Sequence, residues 1–254
     1  MIIWLASYPK SGDELVRTLL SSYVFSQDGS YNSELLNNIK QFPDIELFKQ
    51  LGVDINNEAA MYKNYISSQK LYFDKKSIRF LKTHSCYVNR KDFQFTDKDN
   101  TLGVIYIVRD PKNVLSSLTN DLKQNTQQSS EIMLTNQYLG KDNPNHCLTY
   151  LGSWKYHYNS WKIFNKFNRY CLIRYEDLIQ DTEKVFLEIL KFISRMGKVR
   201  FAVDKNKLQN TLKTCDLVKI QEFEEKEKSS LNKEIQANLE KELENEMREL
   251  YYLK

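Results

Sequence analysis

The sequence predicts an α/β fold with three layers, in which a central, mainly parallel sheet lies between two layers of helices. Two observations predict this fold. Short continuous apolar runs alternate along the chain with segments whose apolar residues recur at helical spacing, a pattern typical of parallel βαβ units. The chain of 254 residues also contains only 7 Gly and 4 Pro, which argues against an all-β protein with many tight turns.

The first βα unit is the clearest. Residues 2–6 form a continuous apolar run, as expected for a strand that is buried on both faces. Residues 7–12 form a loop, after which apolar side chains at helical spacing predict a helix. These side chains are Leu15, Val16, Leu19, Leu20, Tyr23 and Val24.

Three further strands are predicted at residues 77–84, 103–108 and 170–174. Helices are expected after the second and third of these, the last one from about Thr182. Polar, Tyr-containing segments at 28–75 and 119–150 interrupt the alternation, and we expect them to form helical insertions and loops.

The C-terminal part of the chain predicts one amphipathic helix over about residues 229–253. Its apolar residues recur every four positions, at Leu231, Ile235, Leu239, Leu243 and Met247. A solvated helix docked through one stripe is the simpler interpretation, and a contact with a partner helix or within a homodimer is the alternative. We expect residues 1–254 to form a single domain.

Charge and composition exclude several classes of protein. The net charge of +4 is too small to indicate nucleic-acid binding. Residues 222–254 carry ten acidic and six basic side chains, so the rest of the chain has a net charge of +8, which suits an anionic ligand. No apolar run approaches the length of a membrane span, and the N-terminus lacks the basic region of a signal peptide.

The four cysteines are far apart in sequence, which indicates reduced thiols in a cytoplasmic protein rather than disulfides or a zinc site. They are Cys86, Cys147, Cys171 and Cys215.

Three segments at predicted strand ends carry groups suited to anion chemistry. Residues 8–12, Tyr-Pro-Lys-Ser-Gly, join a strand to a helix N-terminus, where backbone N–H groups bind phosphate or sulfate; a tight turn without ligand is the alternative. Arg109 ends a strand, and Ser117 lies eight residues later, so both could clamp a phosphate, although Arg109 could equally pair with a carboxylate. His84 could act as a base or be structural.

Together the motifs resemble one family. The segments W-L-A-S-Y-P-K-S-G (4–12), F-L-K-T-H (80–84), Y-I-V-R-D-P-K-N-V-L-S-S (106–117), G-S-W-K-Y-H-Y-N-S-W (152–161) and I-R-Y-E-D-L (173–178) occur in this order. The chain thereby resembles the sulfotransferases that use 3′-phosphoadenosine 5′-phosphosulfate (PAPS) and release 3′-phosphoadenosine 5′-phosphate (PAP). The resemblance covers roughly residues 1–195 and implies a fold like that of P-loop NTPases.

The resemblance also implies roles for individual residues. Lys10, Ser11 and Gly12 match the loop that holds the 5′-phosphosulfate, and the next two positions, Asp13 and Glu14, belong to the same site. Further positions match residues with a function in the family. Arg109 and Ser117 match the 3′-phosphate ligands, His84 the catalytic base, Lys82 a second catalytic lysine beside Lys10, Tyr175 a tyrosine near the adenine, and Trp154 a position in the helix that lines the nucleotide site.

The implied chemistry is in-line transfer of a sulfonyl group to a hydroxyl or amine, with His84 taking the acceptor proton and Lys10 stabilising the leaving group. No metal is implied. The acceptor is a small molecule or saccharide, and the inserted segments 28–75 and 119–150 are expected to form its pocket. Their tyrosines could stack on the acceptor or simply pack inside the insertions. These tyrosines are Tyr31, Tyr62, Tyr65, Tyr72 and Tyr138.

The sequence departs from the family in two places. Relatives continue the phosphate loop with small polar residues, whereas this chain has Asp13 and Glu14, whose carboxylates would repel the nucleotide. The family's basic, glycine-containing R-K-G-x-x-G-x-W segment is missing, since no Gly follows Gly197. A catalytically impaired binding protein of the same fold is therefore the alternative function. A kinase-like P-loop enzyme is a third, disfavoured because the sequence G-x-x-x-x-G-K-[ST] is missing.

Overall fold

The computed structural model describes residues 1–72, 78–140, 147–213 and 232–254. Its centre is a five-stranded sheet in which every strand is parallel to its neighbours. The strands, in the order in which they lie in the sheet, are β2 (Lys40–Gln41), β3 (Arg79–Thr83), β1 (Ile2–Ser7), β6 (Thr101–Val108) and β9 (Tyr170–Arg174). The predicted α/β fold with a central parallel sheet is confirmed.

Helices cover both faces of this sheet. They are α1 (Asp13–Phe25), α2 (Ile45–Gln50), α3 (Glu58–Lys70), α4 (Pro111–Leu122), α5 (Thr126–Leu134), α6 (Trp154–Trp161), α7 (Tyr175–Gln180), α8 (Thr182–Met196), α9 (205–213), α10 (Lys233–Glu242) and α11 (Glu244–Glu249). Two 3₁₀ helices span Ser33–Asn38 and Lys162–Phe167. Small antiparallel pairs join β4 (Asn89–Arg90) to β5 (Phe93–Gln94) and β7 (Tyr138–Leu139) to β8 (Thr149–Tyr150).

The two core layers follow from the alternation of side chains along the strands. In β1, Trp4 and Ala6 point into one layer, while Ile3 and Leu5 point into the other. The first layer is closed by α2 to α6 together with α10 and α11, and the second by α1, α7, α8 and α9. The central strands β1 and β6 are buried on both faces and almost entirely apolar, which is why the sequence revealed them. The strands β3 and β9 contain shorter apolar runs.

The inserted segments are largely helical, as expected. Residues 28–75 contain α2, α3 and a 3₁₀ helix, and residues 119–150 contain α5. The edge strand β2 was not predicted, because its two residues, Lys40 and Gln41, are both polar and exposed. Residues 73–77 and 141–146 lie outside the described part of the chain.

The prediction of a single C-terminal helix needs correction, because α10 and α11 are separate helices that meet at Leu243. A stripe that repeats every four residues drifts by about 40° per repeat around a helix of 3.6 residues per turn. The break at Leu243 lets Leu239, Met247 and Leu250 all stay buried in the same core layer. The first residues of the predicted helix, 229–231, lie outside the described part, as does Cys215.

Three of the four cysteines lie in the described part of the chain. Cys86, Cys147 and Cys171 are free thiols, and the first two are buried. Within the described ranges, no helix combines the length and the apolar character that crossing a bilayer requires. In those same ranges, His, Cys, Asp and Glu side chains form no group of three suited to a metal ion.

Candidate active site

The carboxyl ends of β1, β3 and β6 meet at one edge of the sheet and bring the candidate residues together. Ala6 pairs with Thr83 on one side and Tyr106 on the other, so the segments after these strands are neighbours. The segment after β1 is the loop 8–12, the one after β3 contains His84, and the one after β6 begins with Arg109. Ligands of open α/β sheets bind at this edge.

The loop 8–12 has the geometry of an anion site. Gly12 has φ +86° and lies so close to Tyr175 that a Cβ would be 2.0 Å from the ring. Helix α1 begins after Gly12 without a side-chain cap on its first N–H groups. The hydroxyl of Ser11 is buried and has no hydrogen-bond partner in the described ranges. Uncapped N–H groups and a buried, unpaired hydroxyl are suited to phosphate or sulfate oxygens.

Arg109 is held beside this loop. Its guanidinium donates to the backbone carbonyl of Lys10 at 3.0 Å and lies 5.1 Å from the ring centroid of Tyr175. The side chain is buried, so a charged group is fixed next to the backbone of the loop. The structure thus brings together Lys10, Ser11, Gly12, Arg109 and Tyr175, five of the residues that the sequence selected.

The side chain of Lys10 runs to helix α4. Its Nζ lies 2.5 Å from Oδ1 of Asp121, in a pair that is partly exposed. Ser117 is four residues before Asp121 and therefore on the same face of α4. Ser117 therefore lies on the face of α4 that Lys10 contacts through Asp121. Trp154, in contrast, is buried in the core against Tyr158, in the layer on the other side of the sheet from α1.

A buried ion cluster joins the end of β3 to the start of α1. The ammonium of Lys82 lies 2.7 Å from Oδ2 of Asp13 and also contacts Oε1 of Glu14. Arg17 contacts the second oxygen of Glu14 at 3.3 Å. Asp13 and Glu14 therefore pair with two basic side chains, Lys82 and Arg17.

Charge pairing sets the protonation of this cluster. Burial by itself raises the pKa of Asp13, but Lys82 and then His84 outweigh it and lower the pKa to about 2. Burial opposes the charged form of Lys82 as well, yet Asp13 and Glu14 raise its pKa above the usual value. Both side chains are thus charged near neutral pH.

His84 is oriented by the end of β1. Its Nδ1 donates to the carbonyl oxygen of Ser7 at 2.8 Å, which leaves the lone pair on Nε2. Nε2 lies 4.0 Å from Oδ2 of Asp13, and the imidazole is 17% exposed. Burial lowers the pKa of His84, and the carboxylate of Asp13 only partly opposes this. A neutral imidazole with a free Nε2 can accept a proton.

His157 holds the backbone of His84, and this residue was not selected from the sequence. Its Nε2 donates to the His84 carbonyl at 3.2 Å, while its Nδ1 accepts from the Tyr106 hydroxyl at 2.8 Å. Burial lowers the pKa of His157 to about 3, so the ring is neutral. The sequence signal for this position is helical spacing, because His157 lies three residues after Trp154 and four before Trp161, on the buried face of α6.

The C-terminal segment braces the turn at Arg109. Glu176 accepts from the backbone N–H of Asp110 at 2.9 Å and from the hydroxyl of Tyr252 at 2.8 Å. Asp110 in turn caps α4 by accepting from the N–H of Lys112. Tyr252 is far from this turn in sequence and belongs to no motif, so local patterns could not identify it.

A cavity of about 740 Å³ opens beside His84. Arg17 of α1 also lines it, and its other walls come from residues within 37–49 and from residues 139, 140, 147 and 149, which belong to the two inserted segments. Tyr62 and Tyr65 are buried in the core instead of lining it. The alternative of simple aromatic packing therefore describes these two tyrosines.

A matched pair of substitutions, at Gly12 and at Gly52, tests the close contact between the backbone of Gly12 and the ring of Tyr175. Both have positive φ, but only Gly12 faces a side chain, since nothing lies within 4 Å of a Cβ at Gly52. We expect Gly52→Ala to lower the free energy of unfolding by about 1–2 kcal/mol through backbone strain. Gly12→Ala should cost about 1–3 kcal/mol more because of the Tyr175 ring. Equal losses in urea unfolding would contradict this.

The lowered pKa of Asp13 predicts a pH dependence of stability. Because the folded pKa is about 2 and the reference value is 3.8, the charged carboxylate stabilises the protein fully above about pH 4. This contribution, about 2 kcal/mol, is lost as pH falls from 4 towards 2. The stability difference between wild type and Asp13→Asn should shrink over this range in urea unfolding. A difference that stays constant from pH 6 to pH 3 argues against the buried pair.

The two described histidines have opposite tautomers in the structure, and long-range ¹H–¹⁵N NMR can identify each. The chain has only 3 His, so assignment by single substitutions is simple. We expect the proton on Nδ1 in His84 and on Nε2 in His157, with no titration of His157 down to pH 5. His157→Gln, which keeps a donor, should preserve the His84 signals, whereas His157→Phe should shift them. Identical His84 spectra in both variants would remove His157 from this role.

Comparisons with known proteins agree with this architecture. The family model described as "Sulfotransferase domain" matches residues 2–250. A crystal structure of retinol dehydratase in complex with androsterone and the inactive cofactor PAP aligns with a TM-score of 0.60 and 15% identity, over 97% of this chain and 80% of that one. Mouse sulfotransferase SULT7A1 complexed with PAP aligns with a TM-score of 0.50 and 19% identity, over 91% and 66%. At these identities the likeness shows the fold. No curated protein matches the chain.

Proposed function

Because the chain belongs to the sulfotransferase domain family, we propose that it is a PAPS-dependent sulfotransferase that acts on a hydroxyl or amine of a small molecule or saccharide. One observation carries the proposal. At the N-terminus of α1, a buried Ser11 hydroxyl without a partner in the described ranges lies between Gly12 and the loop carbonyl that fixes Arg109. A buried hydroxyl without a partner lowers the stability of the protein unless a ligand oxygen forms a hydrogen bond with it.

The residues of the loop fit the phosphate groups of PAPS or PAP. The first N–H groups of α1, together with Ser11 and Lys10, would hold the 5′-phosphosulfate. Arg109 and Ser117 would hold the 3′-phosphate, and Tyr175 would lie beside the adenosine. Gly12 keeps the backbone close to the ligand because it has no side chain. When bound, PAPS supplies the activated sulfonyl group, with PAP as the leaving group.

His84 would act as the general base. Its Nε2 carries the lone pair, its ring is oriented by the Ser7 carbonyl, and it lines the cavity that we assign to the acceptor. A proton from the acceptor hydroxyl would move to Nε2. Asp13, 4.0 Å from Nε2, would then stabilise the imidazolium.

A catalytically impaired binding protein of the same fold remains the second candidate, and the ion cluster favours it. Lys82 contacts both Asp13 and Glu14, so its charge is already balanced within the protein. A lysine in this state contributes less to the stabilisation of a sulfonyl oxygen than a free one. The loop and Arg109 are the same in both candidates, so PAP binding is common to them and turnover separates them.

Arg109 provides the test of nucleotide binding. We expect wild type to bind PAP with a micromolar or tighter Kd, and Arg109→Ala to weaken binding at least tenfold, because a charged, buried donor to the phosphate is lost. The measurement is isothermal titration calorimetry, with the exposed Arg200→Ala as the matched control. The proposal fails if wild type does not bind PAP at millimolar concentration.

His84 provides the test of catalysis. We expect His84→Gln to lower the transfer of ³⁵S from labelled PAPS by about 10²–10⁴-fold while PAP affinity changes little, since a general base contributes about this factor. If the variant retains turnover, His84 is not the base. If wild type binds PAP but transfers no label to phenols, sugars or amines, the impaired binding protein is the better description.

A further inference from the structure

We infer that the cavity beside His84 binds a polyhydroxylated acceptor, such as a saccharide, rather than an apolar ring system. The inference rests on the proposed function, which supplies the sulfotransfer reaction. The class of acceptor is argued from the cavity walls alone. The cavity is large enough, at about 740 Å³, for a ligand of several rings.

The walls of the cavity combine many hydrogen-bonding groups with aliphatic surface, and apolar atoms form slightly more than half of the lining. Most lining residues carry hydrogen-bonding or charged side chains, and no aromatic ring apart from the imidazole of His84 lines it in the described part of the chain. The charged lining residues have both signs: Arg17, Lys40 and Lys49 are basic, and Asp44 and Glu46 are acidic. Apolar ligands are usually held by hydrophobic and aromatic walls.

Three aromatic side chains of the first insertion pack into the core and not against the cavity. Phe42 and Phe48 are fully buried, and Tyr65 lies between them and Phe95 in the core. These rings stabilise the insertion and leave its polar side chains for the cavity. Aromatic residues are therefore neighbours of the lining residues in sequence, but in the described part of the chain their rings do not line the cavity.

Two of the polar groups are held in fixed positions, as a specific site requires. The two oxygens of Asp44 each accept one hydrogen bond, from the N–H of Glu46 at 2.9 Å and from the hydroxyl of Tyr72 at 2.8 Å. A carboxylate has about four acceptor positions, so Asp44 can accept further hydroxyl donors. Arg17 donates at 2.9 Å to the carbonyls of Leu36 and Ile39, which fixes its guanidinium.

A polyol matches this arrangement because each hydroxyl can donate to a carboxylate and accept from a basic group. An apolar ring system would remove the same side chains from water without replacing their hydrogen bonds, and a site built for hydroxyl groups rejects such ligands strongly.

Ligand-observed saturation-transfer NMR tests the inference without requiring turnover. The probes are maltotriose, triacetylchitotriose, 4-nitrophenol and 2-naphthol at equal concentration, each with and without PAP. We expect saturation of at least one saccharide and at most weak signals from both phenols. Asp44→Asn, which keeps the helix cap, should reduce the saccharide signal severalfold. Asp54→Asn is the matched control, because Asp54 caps a turn in the same way, with its carboxylate accepting from Asn56 N–H at 2.9 Å, and does not line the cavity.

Strong saturation of the phenols with none of the saccharides would overturn the inference. So would a saccharide signal that Asp44→Asn leaves unchanged. These outcomes are distinct from a failure of the proposed function, which appears as the absence of PAP binding in calorimetry and leaves the saccharide signal of the free protein unaffected.

Discussion

The buried ion pair between Lys82 and Asp13 is the contact on which the geometry of the site depends. It joins the end of β3 to the first residue of α1, at the edge of the sheet where the candidate site lies. Both groups are almost fully buried, so the loss of Lys82 leaves the Asp13 carboxylate without its basic partner, at a cost of about 3–5 kcal/mol. The pair therefore fixes the start of α1 relative to His84, which follows Lys82 by two residues.

This contact also changes the electrostatics of the anion site. Two carboxylates in the first turn stabilise the N-terminus of α1 when no ligand is bound. The same carboxylates would repel a bound phosphate if they faced it. In the structure, Lys82 and Arg17 balance their charge. The groups that would attract an anion are the N–H groups at the start of α1, the Ser11 hydroxyl and the buried Arg109, whereas Lys10 is itself paired with Asp121. These groups provide the attraction for an anion that the net charge of +8 outside residues 222–254 indicates.

Most of the fold followed from the sequence because buried parallel strands and amphipathic helices leave local patterns. The loop 8–12 and Arg109 were recognisable since they stand directly at strand ends. The ion cluster was not, because the pairing of Asp13 with Lys82 spans 69 residues and has no local signal. His157 and Tyr252 were missed for the same reason, and the break at Leu243 depends on packing against a core that the sequence does not display.

The central claim is that Asp13 and Glu14 are balanced within the protein and leave the loop able to bind a nucleotide. Calorimetric titration of PAP into wild type and Glu14→Gln tests it most directly, because Asp13 still holds Lys82 in this variant. The account predicts binding by both proteins, with affinities within about threefold, since Glu14 is paired with Lys82 and Arg17. Binding by Glu14→Gln together with none by wild type would contradict it.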